Sequence, residues 1–165
     1  MQDFQRLLHR LADSGLEFII IGGYAAVTYG SSLVTRDLDI CAVLSDANVE
    51  KLRQILADWH PKHRMTPDKL SFLEFPKSGP LQNLYLLTDA GVIDILSTVM
   101  GVGDFARLNQ AAEDFEIGGR VYRVISLEDL IAAKAAVGRE KDLLAVKELR
   151  AIAAKRKASG PKTAT

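Results

Sequence analysis

The sequence predicts an α/β (α+β) domain: a mixed β-sheet flanked by helices, with a C-terminal helical pair. Three observations carry this expectation. Short apolar runs at Leu16 to Ile21, Leu84 to Leu87 and Val92 to Leu96 have the length and composition of strands. Amphipathic stretches of helical period lie between or before them, at residues 2–14 and about 46–59. Two helical segments follow each other late in the chain, about 127–137 and 139–155. At 165 residues, 48% hydrophobic and 25% charged, the chain is sized for one domain, expected over 1–155, with 156–165 as a disordered basic tail.

The first helix is justified by Phe4, Leu7, Leu8 and Leu11 at helical spacing, and Ser14-Gly15 stops it. A buried strand ends at Ile21, and Gly22-Gly23 is expected to turn the chain. Tyr24 to Tyr29 reads as a short helix closed by Gly30. After a loop from Ser31 to Thr35, Asp37 to Leu44 is expected as a strand. Asp46 is the expected cap of a helix with Val49, Leu52, Ile55 and Leu56 on its apolar face. Pro61, Pro67, Pro76 and Pro80 mark an irregular stretch with a strand expected at Leu70 to Phe75. Thr88 to Gly91 is a tight turn between two strands. Gly101, Gly103 and Asp104 open a short helical stretch. Phe115 to Val124, with Gly118-Gly119 in its middle, reads as a hairpin. Ser126 starts a helix in the manner of a capping box, with Asp129 in place of the usual Glu.

Composition excludes several classes. A formal net charge of zero leaves no overall footprint for nucleic acid or an acidic membrane. The single cysteine, Cys41, excludes an internal disulfide framework and reads as a small, part-buried thiol. No apolar run approaches bilayer-spanning length, and Met1-Gln2-Asp3-Phe4-Gln5-Arg6 does not read as a signal peptide. A cytoplasmic protein without a membrane partner is expected. His60 and His63 are closely spaced but have no third ligand nearby, so they read as loop residues.

The most informative residues are Asp37 and Asp39, in Arg36-Asp37-Leu38-Asp39-Ile40-Cys41. On a strand they share one face, while Leu38 and Ile40 pack on the other. Adjacent carboxylates repel, and a hard divalent cation such as Mg²⁺ relieves that repulsion with oxygen ligands plus substrate phosphates. Gly22-Gly23, at the junction of strand and helix, suits backbone approach to an anion. Asp94, alone among Val92, Ile93, Ile95 and Leu96, needs a reason, because an unpaired buried charge is costly. Taken singly these are ordinary: Gly-Gly is a turn, Asp-x-Asp a solvated strand face, and basic helix residues are solvated. Their conjunction in this order is what points to an enzyme.

Ile21-Gly22-Gly23, thirteen intervening residues, and then Asp37-Leu38-Asp39-Ile40 resemble the signature of the nucleotidyltransferase superfamily, with Asp94 matching its third carboxylate. Gly22-Gly23-Tyr24-Ala25, Tyr29-Gly30, Thr35, Leu130-Ile131-Ala132-Ala133-Lys134 and Gly138-Arg139-Glu140-Lys141-Asp142 further resemble the minimal nucleotidyltransferases of the AbiEii toxin type, over about residues 16–150. The resemblance implies metal-dependent transfer of a nucleoside monophosphate from an NTP to an acceptor hydroxyl or phosphate, with pyrophosphate released. It implies Asp37 and Asp39 as ligands of Mg²⁺ or Mn²⁺, and Asp94 as a further ligand or as the base for the attacking group. It implies nucleotide contacts from Gly22, Gly23, Ser31, Thr35, Arg36, Lys134, Arg139 and Lys141. Relatives carry a basic residue where this chain has Leu33, and Arg36 is the expected substitute. Small molecules, tRNA and proteins are the acceptor classes the resemblance offers. A non-catalytic nucleotide-binding relative, or one binding a partner such as an antitoxin, is the alternative.

Overall fold

The structure, a computed structural model, describes residues 3–160. The elements run α1 (Phe4–Asp13), β1 (Ile19–Ile21), α2 (Gly22–Tyr29), β2 (Asp37–Cys41), α3 (Asp46–Leu56), a 3₁₀ turn (Ala57–Trp59), β3 (Lys62–His63), β4 (Asn83–Thr88), β5 (Gly91–Leu96), β6 (Thr98–Val99), β7 (Gly103–Asp104), α4 (Phe105–Ala111), β8 (Glu113–Ile117), β9 (Arg120–Val124), α5 (Leu127–Val137) and α6 (Glu140–Ala158). Seven strands form one sheet in the order β3-β4-β5-β2-β1-β9-β8, and β6 and β7 make a separate ribbon. The sheet is mixed: β2 is parallel to β5 and antiparallel to β1, and β1 is parallel to β9.

Alternation along the strands divides the sheet into two faces. Leu38 and Ile40 of β2, Ile93 and Ile95 of β5 and Leu84 and Leu86 of β4 are buried on one of them. They form one core with Leu7, Leu8 and Leu11 of α1 and Val49, Leu52 and Leu56 of α3. The other face carries Asp37, Asp39 and Asp94. Helices α2, α5 and α6 pack against one another, with α2 on β1 and β2.

Several expectations are corrected. Gly22-Gly23 is not a turn before a helix; both residues are the first of α2. The strand expected from Leu16 is only Ile19–Ile21, and that expected to Leu44 ends at Cys41. Ser45, not Asp46, caps α3: its side chain accepts the Asn48 N–H at 3.2 Å. Residues 70–75 form no strand beyond a bridge of Ser71 to Lys62. The Arg53 side chain holds that segment instead, donating to the carbonyls of Phe72 (2.9 Å) and Pro76 (2.6 Å), while the Phe72 side chain is fully buried. Ser126 does cap α5, but Asp129 does not answer it; its carboxylate pairs with Arg107. The expected tail is helical through Ala158, since Arg156 pairs with Glu113 at 2.9 Å and lies over the Tyr29 ring. Met1, Gln2 and residues 161–165 lie outside the described residues.

Candidate active site

The site stands on the central strand of the sheet. In β2, Asp37 and Asp39 point away from the core that takes Leu38 and Ile40. The parallel register sets Asp39 beside Asp94 of β5, and the antiparallel register sets Ile21, the last residue of β1, opposite Asp39. The chain then enters α2 at Gly22 with φ +64°, a left-handed conformation that favours glycine. A Cβ on Gly22 would lie 2.2 Å from Asp39 Oδ2, and one on Gly23 would lie 2.6 Å from Thr35 Oγ1. The two glycines therefore let the start of α2 close down on the aspartate strand. No side chain caps that helix start.

Three aspartates are buried among the described residues, Asp94, Asp129 and Asp142, and each is paired with an arginine. Asp37 and Asp39 differ: no hydrogen-bond donor among the described residues reaches either carboxylate. Burial, then the charges of Asp94 and Asp37, push Asp39 up to about 7, against the pull of Lys134 and Arg64. Asp94 is also raised, by burial first, although the Arg64 guanidinium opposes the shift. Burial pushes Asp142 up, but Arg139 and Lys134 outweigh it and hold its carboxyl below the ordinary value.

The fold that carries these residues is shared with solved structures of one kind. The lincosamide antibiotic adenylyltransferase LnuA, in its lincomycin-bound crystal structure, superposes with a TM-score of 0.62 at 17% identity, over 90% of this chain and 95% of that one. A crystal structure from Thermotoga maritima, described as a candidate nucleotidyltransferase, gives 0.56 at 18% identity, over 94% and 97% of the two chains. The chain has the nucleotidyltransferase fold. The solution structure of the antibiotic-resistance factor ANT(2″)-Ia matches over 94% of both chains, at 14% identity and a TM-score of 0.50. No protein-family model matches the sequence, and no curated protein matches it.

Within the nucleotidyltransferase fold, the expected site residues separate into two groups. Gly22, Gly23, Thr35, Asp37, Asp39, Asp94 and Lys134 gather at the aspartate strand. Thr35 donates from Oγ1 to the Asp37 carbonyl at 3.1 Å. Arg139 bears on Asp39 only by its charge, since its Nε donates to Asp142 at 2.7 Å, the carboxylate that also accepts the Arg139 backbone N–H at 3.3 Å at the start of α6. Ser31 is buried and its Oγ accepts the Leu33 N–H at 3.2 Å, a structural task in a loop that Glu148 of α6 pins through Ser32. Arg36 and Lys141 are exposed and have no ion pair among the described residues. Cys41 lies on the same strand face but is fully buried, and burial pushes its thiol up to about 11. His60 faces Asp89, and His63 Nε2 lies 2.7 Å from the Phe75 carbonyl, so neither approaches the aspartates as a ligand pair.

Arg64 is the site residue that the sequence reading missed. Its Nη2 lies 2.6 Å from both carboxylate oxygens of Asp94. It sits in the proline-marked stretch, where no periodicity assigns a partner. The one available signal was Asp94 itself, because a buried acid calls for a nearby cation.

The donor set fits one hard cation at Asp37 and Asp39, whose partnerless oxygens on a common face are the ligands Mg²⁺ or Mn²⁺ prefers. No cluster of three or more His, Cys, Asp or Glu side chains among the described residues is placed to hold a metal, and Asp94 is paired with Arg64. A groove of about 570 Å³ between α1 and Trp59 lies apart from these residues.

Proposed function

We propose that the chain is a nucleotidyltransferase that moves a nucleoside monophosphate from an NTP to an acceptor hydroxyl or phosphate and releases pyrophosphate. The observation that carries this reading is the partnerless, part-buried Asp39, raised to about 7 and set against the glycine entry of α2 on the nucleotidyltransferase fold. A site that spends stability to keep two unneutralised carboxylates together is built for a cation that arrives with its substrate.

In this reading Asp37 and Asp39 hold the divalent cation, which supplies charge neutralisation for the triphosphate. The start of α2 and its glycines take a phosphate oxygen through backbone N–H groups. Lys134 adds positive charge beside Asp39, and Arg139 does so at longer range. Asp94, next to Asp39 across the ladder, is the group positioned to accept the proton of the attacking hydroxyl or to complete the cation's ligands. The acceptor approaches from the β5–β4 side, since α2 covers the β1–β2 side. LnuA's lincomycin and the antibiotics of the ANT(2″)-Ia type are natural first acceptors to test, beside RNA and protein fractions. Cytoplasmic location belongs to the same proposal; among the described residues, no helix is long and apolar enough to cross a membrane.

The test incubates the chain with α-labelled NTPs and Mg²⁺ across those acceptor classes. Label transfer with pyrophosphate release is expected, lost in both Asp37→Asn and Asp39→Asn while circular dichroism stays unchanged. NTP binding without pyrophosphate release from any acceptor class would overturn the transferase reading.

A further inference from the structure

Two arginines solve the same problem in different ways. Arg107 grips Asp129 as a fork, with Nη1 on Oδ2 and Nη2 on Oδ1, each at 3.0 Å. That is the arrangement in which a guanidinium and a carboxylate match. Arg64 instead crowds both oxygens of Asp94 onto one nitrogen, Nη2, at 2.6 Å. Its Nη1 is left to the weak acceptor Met65 Sδ at 3.5 Å, and its Nε is buried without any acceptor. A buried N–H with no partner carries its full desolvation penalty. Arg64 is thus a poorly matched counter-ion in a place where Asp94 must have one. Its backbone is fixed by its own N–H on the Tyr85 carbonyl (2.8 Å) and by Lys69 Nζ on its carbonyl (2.7 Å), so only the side chain is free to change partner.

We propose that Arg64 and a divalent cation exchange at Asp94. Arg64 neutralises the carboxylate in the cation-free chain. When a cation takes Asp94, the guanidinium moves to a phosphate oxygen of the bound nucleotide, which gives its orphaned Nε–H an acceptor. The inference rests on the nucleotidyltransferase reading and adds a residue and an order of events to it. It also makes the cation and the nucleotide cooperate, because each favours the arrangement that the other needs.

The test uses the full chain with Mn²⁺ alone, followed by pyrophosphate alone. Arg64→Gln should bind Mn²⁺ about fivefold or more tightly than the parent, the scale on which coupled sites act. The same substitution in an Asp94→Asn background should change Mn²⁺ affinity little. Asp94→Asn with Arg64 intact frees the guanidinium, so cation-free pyrophosphate binding should tighten; this arm does not depend on Arg64→Gln folding. Arg64→Gln binding Mn²⁺ no better than the parent, tightening that persists without Asp94, or unchanged pyrophosphate affinity in Asp94→Asn would each overturn the exchange. If the parent binds Mn²⁺ and nucleotide normally, those results leave the nucleotidyltransferase reading standing. A parent that binds neither overturns both.

Discussion

Asp39 is a carboxylate held where its charge is unwelcome, and that sets its pH behaviour. Its ordinary value is 3.8 and its folded value about 7, so the folded chain binds the proton more tightly than the unfolded chain. Stability from this group is fully present below about 3.8 and is lost as pH rises through about 7. In the presence of a chelator, the melting temperature should therefore fall by roughly 7–14 °C from this group between the two values. Asp39→Asn should remove that slope, read by thermal unfolding at a series of pH values. Mn²⁺ should restore stability to the parent above pH 7 and do far less for the variant. A parent whose melting temperature tracks that of Asp39→Asn across the whole range would show that Asp39 titrates normally. The neighbouring glycines give a second residue-scale prediction. Gly22→Ala meets the Asp39 carboxylate at 2.2 Å in a left-handed conformation, whereas Gly23→Ala meets Thr35 Oγ1 at 2.6 Å without the cost of a positive φ. Gly22→Ala should cost about 2–3 kcal/mol in urea unfolding, more than Gly23→Ala. Thr35→Ala should recover part of the Gly23→Ala loss and none of the Gly22→Ala loss.

At the scale of elements, the junction of α5 and α6 supplies the part of the site's positive charge that Arg64 does not. Asp142, 2% exposed, accepts from Arg139 at the start of α6 and lies 3.8 Å from Lys134 of α5. One carboxylate thus caps a helix, joins two helices and anchors the lysine whose field reaches Asp39. Asp142→Ala should cost about 2–4 kcal/mol, because it leaves a part-buried lysine unpaired as well as uncapping the helix. Glu148→Ala, which removes an exposed contact of α6 to the Ser31–Ser32 loop, should shift the urea midpoint far less. Urea midpoints compare the two; equal losses would mean that Asp142 acts only as an exposed cap.

At the scale of the molecule, the core face of β2 holds the aspartate face in register. Leu38 and Leu7 are both fully buried in the same core, but only Leu38 is flanked by the aspartates. Leu38→Ala and Leu7→Ala should each cost about 2–5 kcal/mol. Only Leu38→Ala should also weaken Mn²⁺ affinity at a temperature where both variants are folded. Equal Mn²⁺ affinity in the two would mean that the site tolerates shifts of its own strand.

What the sequence determined by itself is local. Leu38 and Ile40 alternating with Asp37 and Asp39 fix a strand with a polar face, helical periodicity fixes α1 and α3, and the Ser126 cap marks the start of α5. Chemistry and neighbours on a single element are legible because strand and helix periods are set by the backbone. The tertiary structure alone decided which partners those residues meet. Asp39 and Asp94 are 55 positions apart in sequence and become neighbours through the register of β2 with β5. Arg64 reaches Asp94 from a stretch without periodicity, so nothing local could name it. Gly22 reads as a turn glycine until its missing Cβ is seen to make room for the Asp39 carboxylate. Asp129 and Arg156 were misread for the same reason: each answers a partner supplied by another element, Arg107 and Glu113, and long-range ion pairs leave no period in the chain.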